Sequence, residues 1–271
     1  MQQLTRGVKF LLIVNIVMFV VTGLLAYIPE QMINLTDYLA LFYIKSPHFR
    51  PFQYITYMFM HGGFTHLLFN MLGLFFFGVM IERIWGTKRF MFYYLVTGIG
   101  AAAVNTVVNY IQFSPLLDAY NAFITAPSAG GLEAVAQKCD GFNLRVVYEI
   151  IDNWKIIVEE PAVMDNITSQ VTLVVENYTS APMLGASGAI FGLLFAFAMM
   201  FPDVKLYILF IPIGIKAKYL VLIYSFVELF FGIYNFSFDD VAHWAHLGGM
   251  IMGFILLMIW RKFPANNFFN S

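Results

Sequence analysis

The sequence predicts an all-α membrane protein with six transmembrane helices and an extracytoplasmic helical insertion between helices three and four. Of its 271 residues, 60% are hydrophobic and only 11% are charged, whereas soluble domains carry about 25% charged residues. Six apolar segments approach the roughly 20 residues that a helix needs to cross a bilayer. These segments are 8–28, 59–81, 90–111, 184–201, 217–234 and 243–260.

The first apolar segment is interpreted as a retained helix rather than a signal peptide. It runs from about Val8 to Ile28 and is longer than the 7–15 apolar residues of a signal peptide. No small-x-small cleavage site follows it. We therefore predict one membrane domain over residues 1–271, with residues 112–183 as an insertion within it.

The insertion carries its own helical pattern. Its apolar residues recur at spacings of three and four, and Pro161 ends the pattern. The residues of this stripe are Leu144, Val147, Ile151, Trp154 and Val158. Two interpretations stay open: a cap packed on the rim of the bundle, or a lid over the active site.

The distribution of charge predicts the orientation. Most lysines and arginines fall at the N-terminus, in 82–89, in 202–218 and after residue 260, whereas most acids fall in the other connections. Basic residues concentrate on the cytoplasmic side. We expect cytoplasmic N- and C-termini, in a bacterial inner membrane.

Polar side chains inside a bilayer are costly and usually mark function. Four such side chains lie near the starts of the second, fourth and sixth segments: His66, Asn70, Ser187 and His246. With the N-terminus inside, these three helices all run from outside to inside. The four side chains should then share one depth near the outer face, where water can reach them.

Pairs of glycines four residues apart let two helix backbones approach closely. Gly188 and Gly192 form such a pair on the fourth segment, and Gly249 and Gly253 form one on the sixth. Close approach is what a serine and a histidine on neighbouring helices need to form a hydrogen bond.

These residue types favour nucleophilic catalysis. A serine needs a base to take its proton, and His246 is the candidate base for Ser187. His66 and Asn70 lie one turn apart on one helix face, and the Ser187 N–H lies in a first turn where donors are unpaired, so together they could stabilise an oxyanion.

We predict a dyad, because no acid is clearly placed to orient His246. Asp239 and Asp240 are near in sequence but fall in a predicted outer loop, and Glu228 is expected to be protonated and hydrogen-bonded between helices rather than catalytic. For His243, an interfacial role and a structural role both stay open.

Three motifs resemble those of the rhomboid family of intramembrane proteases. The segment from His61 to Asn70 is similar to the family's His-x4-His-x3-Asn second helix. Gly185-Ala186-Ser187-Gly188 resembles its Gly-x-Ser-Gly nucleophile motif, and Ala245-His246-Leu247-Gly248-Gly249 resembles its sixth helix. The first loop lacks the family's frequent Trp-Arg pair, and the third loop is unusually long.

The resemblance implies a serine endopeptidase that needs no cofactor. Ser187 would be the nucleophile, His246 the general base, and His66 and Asn70 oxyanion donors. The residues with structural roles near the site would be His61, Gly185, Gly188 and Gly249. His61 is expected to hold the first loop through hydrogen bonds. The implied substrates are single-span membrane proteins cut near the outer surface of the lipid bilayer.

Four other functions were weighed. A net charge of −1 argues against a nucleic-acid partner. An inactive rhomboid-like protein that binds membrane clients would lack the serine or the histidine. A transporter would give the Gly-x-Ser-Gly motif no evident role. A purely structural subunit would not explain why four polar side chains share one depth in the membrane. A metal site of His61, His66 and His246 lacks an obvious carboxylate or cysteine ligand, so none is predicted. The oligomeric state stays open.

Overall fold

The computed structural model describes residues 3–26, 34–139, 141–207, 214–234 and 241–262. Asp239, Asp240 and the end of the first predicted span therefore lie outside the described residues. The chain divides into two compact units. One comprises Met1–Leu41, His48–Asn105 and Pro182–Ser271, and the other comprises Phe42–Pro47 and Thr106–Ala181.

The described chain is almost entirely helical. Its helices are α1 Arg6–Leu25, α2 Leu35–Leu39, α3 Gln53–Thr56, α4 Phe64–Gly73, α5 Val79–Trp85, α6 Thr87–Thr125, α7 Ala129–Ala136, α8 Leu144–Asp152, α9 Trp154–Ile157, α10 Pro161–Thr179, α11 Ser187–Met200, α12 Ala217–Tyr234 and α13 His243–Lys262. A 3-10 turn follows α3, and a π turn at Leu74–Gly78 joins α4 to α5. Two short antiparallel strands, β1 Lys205–Tyr207 and β2 Gly214–Lys216, pair with Lys205 opposite Lys216.

The predicted all-α membrane bundle is confirmed. Five described helices are long and apolar enough to cross a membrane: α1, the continuous Phe64–Trp85 segment, α6, α12 and α13. The second span begins at Phe64 rather than 59, because residues 60–63 form a non-helical turn before it. The third does not stop at 111 but continues through Pro115 to Thr125.

The fourth predicted span is a shorter helix than expected. α11 has 14 residues, which corresponds to about 21 Å against a hydrocarbon core of about 30 Å. Most of its side chains are buried by other helices. Non-helical backbone at membrane depth is tolerated where protein rather than lipid surrounds it, so α11 does not need the length of a lipid-facing helix.

The first unit exposes many large apolar side chains and buries several polar ones. Phe10, Leu222 and Phe226 are among its large exposed apolar residues, whereas Asn15 and Glu82 are buried. An exposed apolar surface of this kind matches a lipid environment. Together with the spans, it makes the chain a multi-pass membrane protein.

Glu82 anchors the start of α1. Its carboxylate accepts hydrogen bonds from the Gly7 and Val8 backbone N–H groups at 2.7 and 2.9 Å, and from the Thr5 and Thr87 hydroxyls. A negative charge at a helix N-terminus satisfies unpaired donors and complements the helix dipole. The carboxylate thus ties α1 to the turn between α5 and α6.

The second unit has an apolar core of its own. Phe123, Leu132 and Val171 are buried in it, as is the single cysteine, Cys139. The predicted stripe is only partly correct: α8 and α9 are separate helices that meet at Asn153, and Leu144 and Val158 are exposed. Pro161 starts α10 at its first position, where a proline's missing N–H costs nothing.

Candidate active site

Ser187 and His246 meet where α11 and α13 begin. The distance from Ser187 Oγ to His246 Nε2 is 2.8 Å, which is a hydrogen bond. Ser187 is the first residue of α11 and is half-buried, while His246 lies in the first turn of α13 and is buried. The structure therefore brings the predicted nucleophile and base together.

A backbone contact between glycines allows this approach. A Cβ atom added to Gly249 would lie 1.9 Å from the Gly188 carbonyl oxygen. One added to Gly188 would lie 2.6 Å from the Ala101 side chain of α6. No side chain fits at either position without moving a helix, so the backbones of α11 and α13 touch directly after Ser187 and one turn after His246.

The first loop holds the segment that leads into Ser187. Leu41 and Met183 exchange two backbone hydrogen bonds of 2.8 Å, and the Gly185 N–H donates to the Tyr57 carbonyl at 2.9 Å. Gly185 itself has a φ of +120°, a conformation that other residues rarely adopt. These contacts aim the start of α11 and fix the position of Ser187.

His66 and Asn70 face the same segment from α4. A Cβ atom added to Gly185 would lie 2.6 Å from His66 Nε2 and 3.6 Å from Asn70 Nδ2. Asn70 is buried, and its Nδ2 has no hydrogen-bond partner among the described residues. Two potential donors therefore border the chain two residues before the nucleophile.

His61 does not make the hydrogen bonds expected of it. It lies in the turn before α4 and is buried. The Phe59 carbonyl is near its ring, but neither ring nitrogen reaches a hydrogen-bond partner within the described part of the chain. Burial, and secondarily the charge of His66, lowers the pKa of His61 to about 4. Its ring packs edge-on against the His66 ring, with centroids 5.1 Å apart, so its contribution here is packing.

An aromatic side chain stacks on the ring of His246 and is itself held by a second one. Phe191, one turn after Ser187, stacks on it with centroids 4.2 Å apart and planes 12° apart. Tyr224 of α12 packs edge-on against Phe191 at 5.9 Å. A stacked neighbour opposes rotation of the imidazole about its Cβ–Cγ bond, which helps to keep Nε2 directed towards Ser187.

Sequence reasoning named Glu228 as a residue hydrogen-bonded between helices but did not place it at this site. Glu228 of α12 is buried, and its Oε2 lies 3.0 Å from His246 Nδ1 and 2.6 Å from His243 Nδ1. The contact to His246 has an ion-pair distance but not the angle of a good hydrogen bond. A signal was present: one acid in an apolar helix, and two histidines three residues apart on the next.

The same three residues could together hold a metal ion. Glu228, His243 and His246 each offer one ligand atom, all within 4.8 Å of one another. This set differs from the His61, His66 and His246 trio weighed from the sequence, and it includes the carboxylate that the earlier trio lacked.

Comparisons with known proteins agree with this architecture. The rhomboid domain family model matches residues 48–119 and 161–263, which is more than half of the chain. The rhomboid protease AarA of Providencia stuartii is 37% identical over 62 residues, 23% of this chain and 22% of that protein. YdcA of Bacillus subtilis, a candidate rhomboid protease, is 47% identical over 45 residues, 17% of this chain and 23% of that protein.

The matched stretches span about a quarter or less of the curated relatives. The family model, by contrast, takes in the four helices that carry the candidate site residues, α4, α11, α12 and α13. On that match, the chain belongs to the rhomboid family.

Proposed function

We propose that this protein is an intramembrane serine endopeptidase that uses Ser187 as nucleophile and His246 as general base. The observation that carries the proposal is the 2.8 Å hydrogen bond between Ser187 Oγ and His246 Nε2. A serine and a histidine at this distance, brought together from different helices, have the geometry that nucleophilic catalysis requires.

The reaction follows from that geometry. His246 Nε2 takes the Ser187 proton as Oγ attacks the scissile carbonyl, and the same nitrogen then gives the proton to the leaving amine. The resulting acyl-enzyme is hydrolysed by water, which His246 activates in turn. No cofactor takes part in this scheme.

His66, Asn70 and the Ser187 N–H are the proposed oxyanion donors. The Ser187 N–H lies at the first position of α11, where it has no intrahelical acceptor. The buried Asn70 Nδ2 is available as a donor. Such donors stabilise the transition state because they are already oriented where negative charge develops.

The proposed substrates are single-span membrane proteins cut near the outer face. Two features support this. The Ser187–His246 pair lies at the starts of α11 and α13, so it sits near one end of the bundle. Basic residues lie at the other end. There the Arg89 guanidinium carbon lies 4.1 Å from the centre of the Trp260 ring, and Arg83 donates a hydrogen bond to the Gln3 carbonyl at 3.0 Å. By the positive-inside rule that other end is cytoplasmic, and both termini are proposed to lie there, in a bacterial inner membrane.

The test is cleavage of a model single-span substrate in liposomes. Ser187→Ala and His246→Ala should each abolish the serine-dependent reaction, lowering the rate by at least about 10³-fold. A serine-reactive phosphonate should form an adduct that mass spectrometry maps to Ser187. The matched control is Ser225→Ala, because the Ser225 hydroxyl of α12 only bonds the Val221 carbonyl and Met250 sulfur, so this variant should cleave and label normally.

Two results would contradict the proposal. Undiminished cleavage by Ser187→Ala would show that another group is the nucleophile. Binding of the substrate by the wild-type protein, with neither cleavage nor labelling, would instead identify an inactive member of the family that retains membrane clients.

A further inference from the structure

We propose that Glu228 is a positioning residue for His246, so that the site works as Ser187–His246–Glu228 rather than as a dyad. The inference rests on the proposed function. Its basis is geometric: α12 places the buried Glu228 Oε2 3.0 Å from His246 Nδ1, on the side of the ring opposite to Ser187.

The carboxylate selects the tautomer that a base needs. An ionised carboxylate only accepts hydrogen bonds, so the nitrogen that faces it, Nδ1, carries the proton. The lone pair of His246 is then on Nε2, where it faces Ser187 Oγ at 2.8 Å. In the other tautomer, the Nδ1 lone pair would face a negative oxygen at 3.0 Å, which is repulsive.

The same charge also stabilises the proton once it has moved. When His246 accepts the Ser187 proton, its ring becomes a cation beside the Glu228 carboxylate. Both groups are buried, so water screens their attraction less than it would at a surface. The carboxylate thus lowers the free energy of the state that follows proton transfer more than that of the state before it, which is how a group accelerates a step.

His243 holds the carboxylate in place. Its Nδ1 lies 2.6 Å from the same Oε2, and the neighbouring Trp244 Nε1 donates to the Gly232 carbonyl at 3.1 Å. These two contacts join α12 to the first turn of α13 at Glu228 itself and one turn further along α12. The carboxylate is therefore oriented by its own partners before it orients His246.

A metal fits these distances less well than shared protons do. Zinc binds nitrogen and oxygen ligands at about 2.0–2.2 Å, which keeps tetrahedral ligand atoms about 3.4 Å apart. Here Oε2 is 2.6 and 3.0 Å from the two nitrogens, which are distances of direct hydrogen-bonded or ionic contact. The arrangement favours a carboxylate that forms a hydrogen bond with His243 and attracts the His246 Nδ1–H by its charge.

The test compares Glu228→Gln with the wild type in the full chain in liposomes. Gln keeps the shape but removes the charge and can present an N–H to His246, which favours the wrong tautomer. We expect kcat to fall at least about tenfold while KM stays within about twofold, because the lost interaction belongs to the transition state. Phosphonate labelling of Ser187 should slow by a similar factor, since it needs the same activated oxygen.

Two further variants separate positioning from folding. Glu228→Asp keeps the charge on a shorter side chain, so it should recover part of the kcat that Gln loses. Glu82→Gln removes the other buried carboxylate of the first unit's described residues, the one that anchors α1. It should lower the melting temperature but leave the labelling rate of the folded protein unchanged.

Each outcome decides a different point. If Ser187→Ala abolishes cleavage but Glu228→Gln labels at the wild-type rate, the positioning role is wrong and the proposed function stands. Equal losses of kcat in the Gln and Asp variants, matched by equal losses of folded protein, would reduce Glu228 to a structural link. Loss of wild-type activity on chelation, restored by zinc alone, would assign the cluster to a metal and also overturn the inference.

Discussion

Replacing Gly249 with alanine should separate Ser187 from His246 without changing either residue. The added Cβ would lie 1.9 Å from the Gly188 carbonyl oxygen and 2.8 Å from its carbon, whereas non-bonded heavy atoms settle at about 3.5 Å. The atoms on the other side are backbone, so no side chain can rotate away. α11 and α13 must therefore part by roughly 1.5 Å, the difference between that separation and the observed one.

That displacement is large on the scale of the chemistry. Gly188 follows Ser187 directly, and Gly249 lies one turn after His246, so the opening reaches the 2.8 Å hydrogen bond and stretches it past about 3.6 Å, where no bond remains. Misplacement by 1 Å costs about 10²-fold in rate. Overpacking should also cost about 1–3 kcal/mol of stability.

The assay is phosphonate labelling of Ser187, scored per folded molecule, alongside thermal unfolding in detergent. Gly23→Ala is the matched control: an added Cβ at Gly23 of α1 meets nothing within 4 Å, and a helical alanine is favoured over glycine by about 0.5–1 kcal/mol. It should be as active as the wild type and no less stable. Wild-type labelling by Gly249→Ala would refute the claim that this backbone contact sets the Ser187–His246 distance.

Two further predictions follow from other contacts. Asn70→Ala should lower kcat by about 10²–10³-fold and change the melting temperature little, which turnover assays and thermal unfolding measure. A change in KM with kcat unaltered would contradict a role for Asn70 in the oxyanion site. The ion pairs of Asp203 with Lys218 and Lys216 lower its pKa below the ordinary 3.8, so the contact is fully present above that pH and is lost as the pH falls through the lowered pKa. The hydrogen-exchange protection factors over 203–207, which correct for the pH dependence of intrinsic exchange, should therefore stay constant from pH 7 to 4. They should fall only below pH 4, and a fall already near pH 5 would contradict this.

The spans and the site motifs were accessible to sequence reasoning because each is a local property. Apolar length identifies α1, α12 and α13 to within a few residues. The Gly-x-Ser-Gly and Ala-His motifs lie at helix starts, and topology alone puts such starts at one face. Pairing Ser187 with His246 needed only those two facts together with the glycine spacing.

Other features depend on packing, which the sequence does not show directly. The short length of α11 reflects its burial by neighbouring helices, and hydropathy cannot distinguish burial in protein from burial in lipid. α6 passes Pro115 because a helix can lose one hydrogen bond and continue. The contact of Glu228 with His246 depends on the rotation of α12 about its own axis relative to α13, and a sequence pattern gives the face of a helix but not its register against a neighbour.

The axial position of α12 against α13 also explains how the Glu228 carboxylate can be buried. The outward face of α12 is apolar, with Phe226 and Leu222 among its exposed side chains, and apolar contacts with lipid do not distinguish one axial position of a helix from another. Sliding α12 by a single turn against α13 would carry Glu228 about 5.4 Å away from His243 and His246. A carboxylate buried without a partner is strongly unfavourable, so the contacts proposed to orient His246 also disfavour the helix packings that would break them.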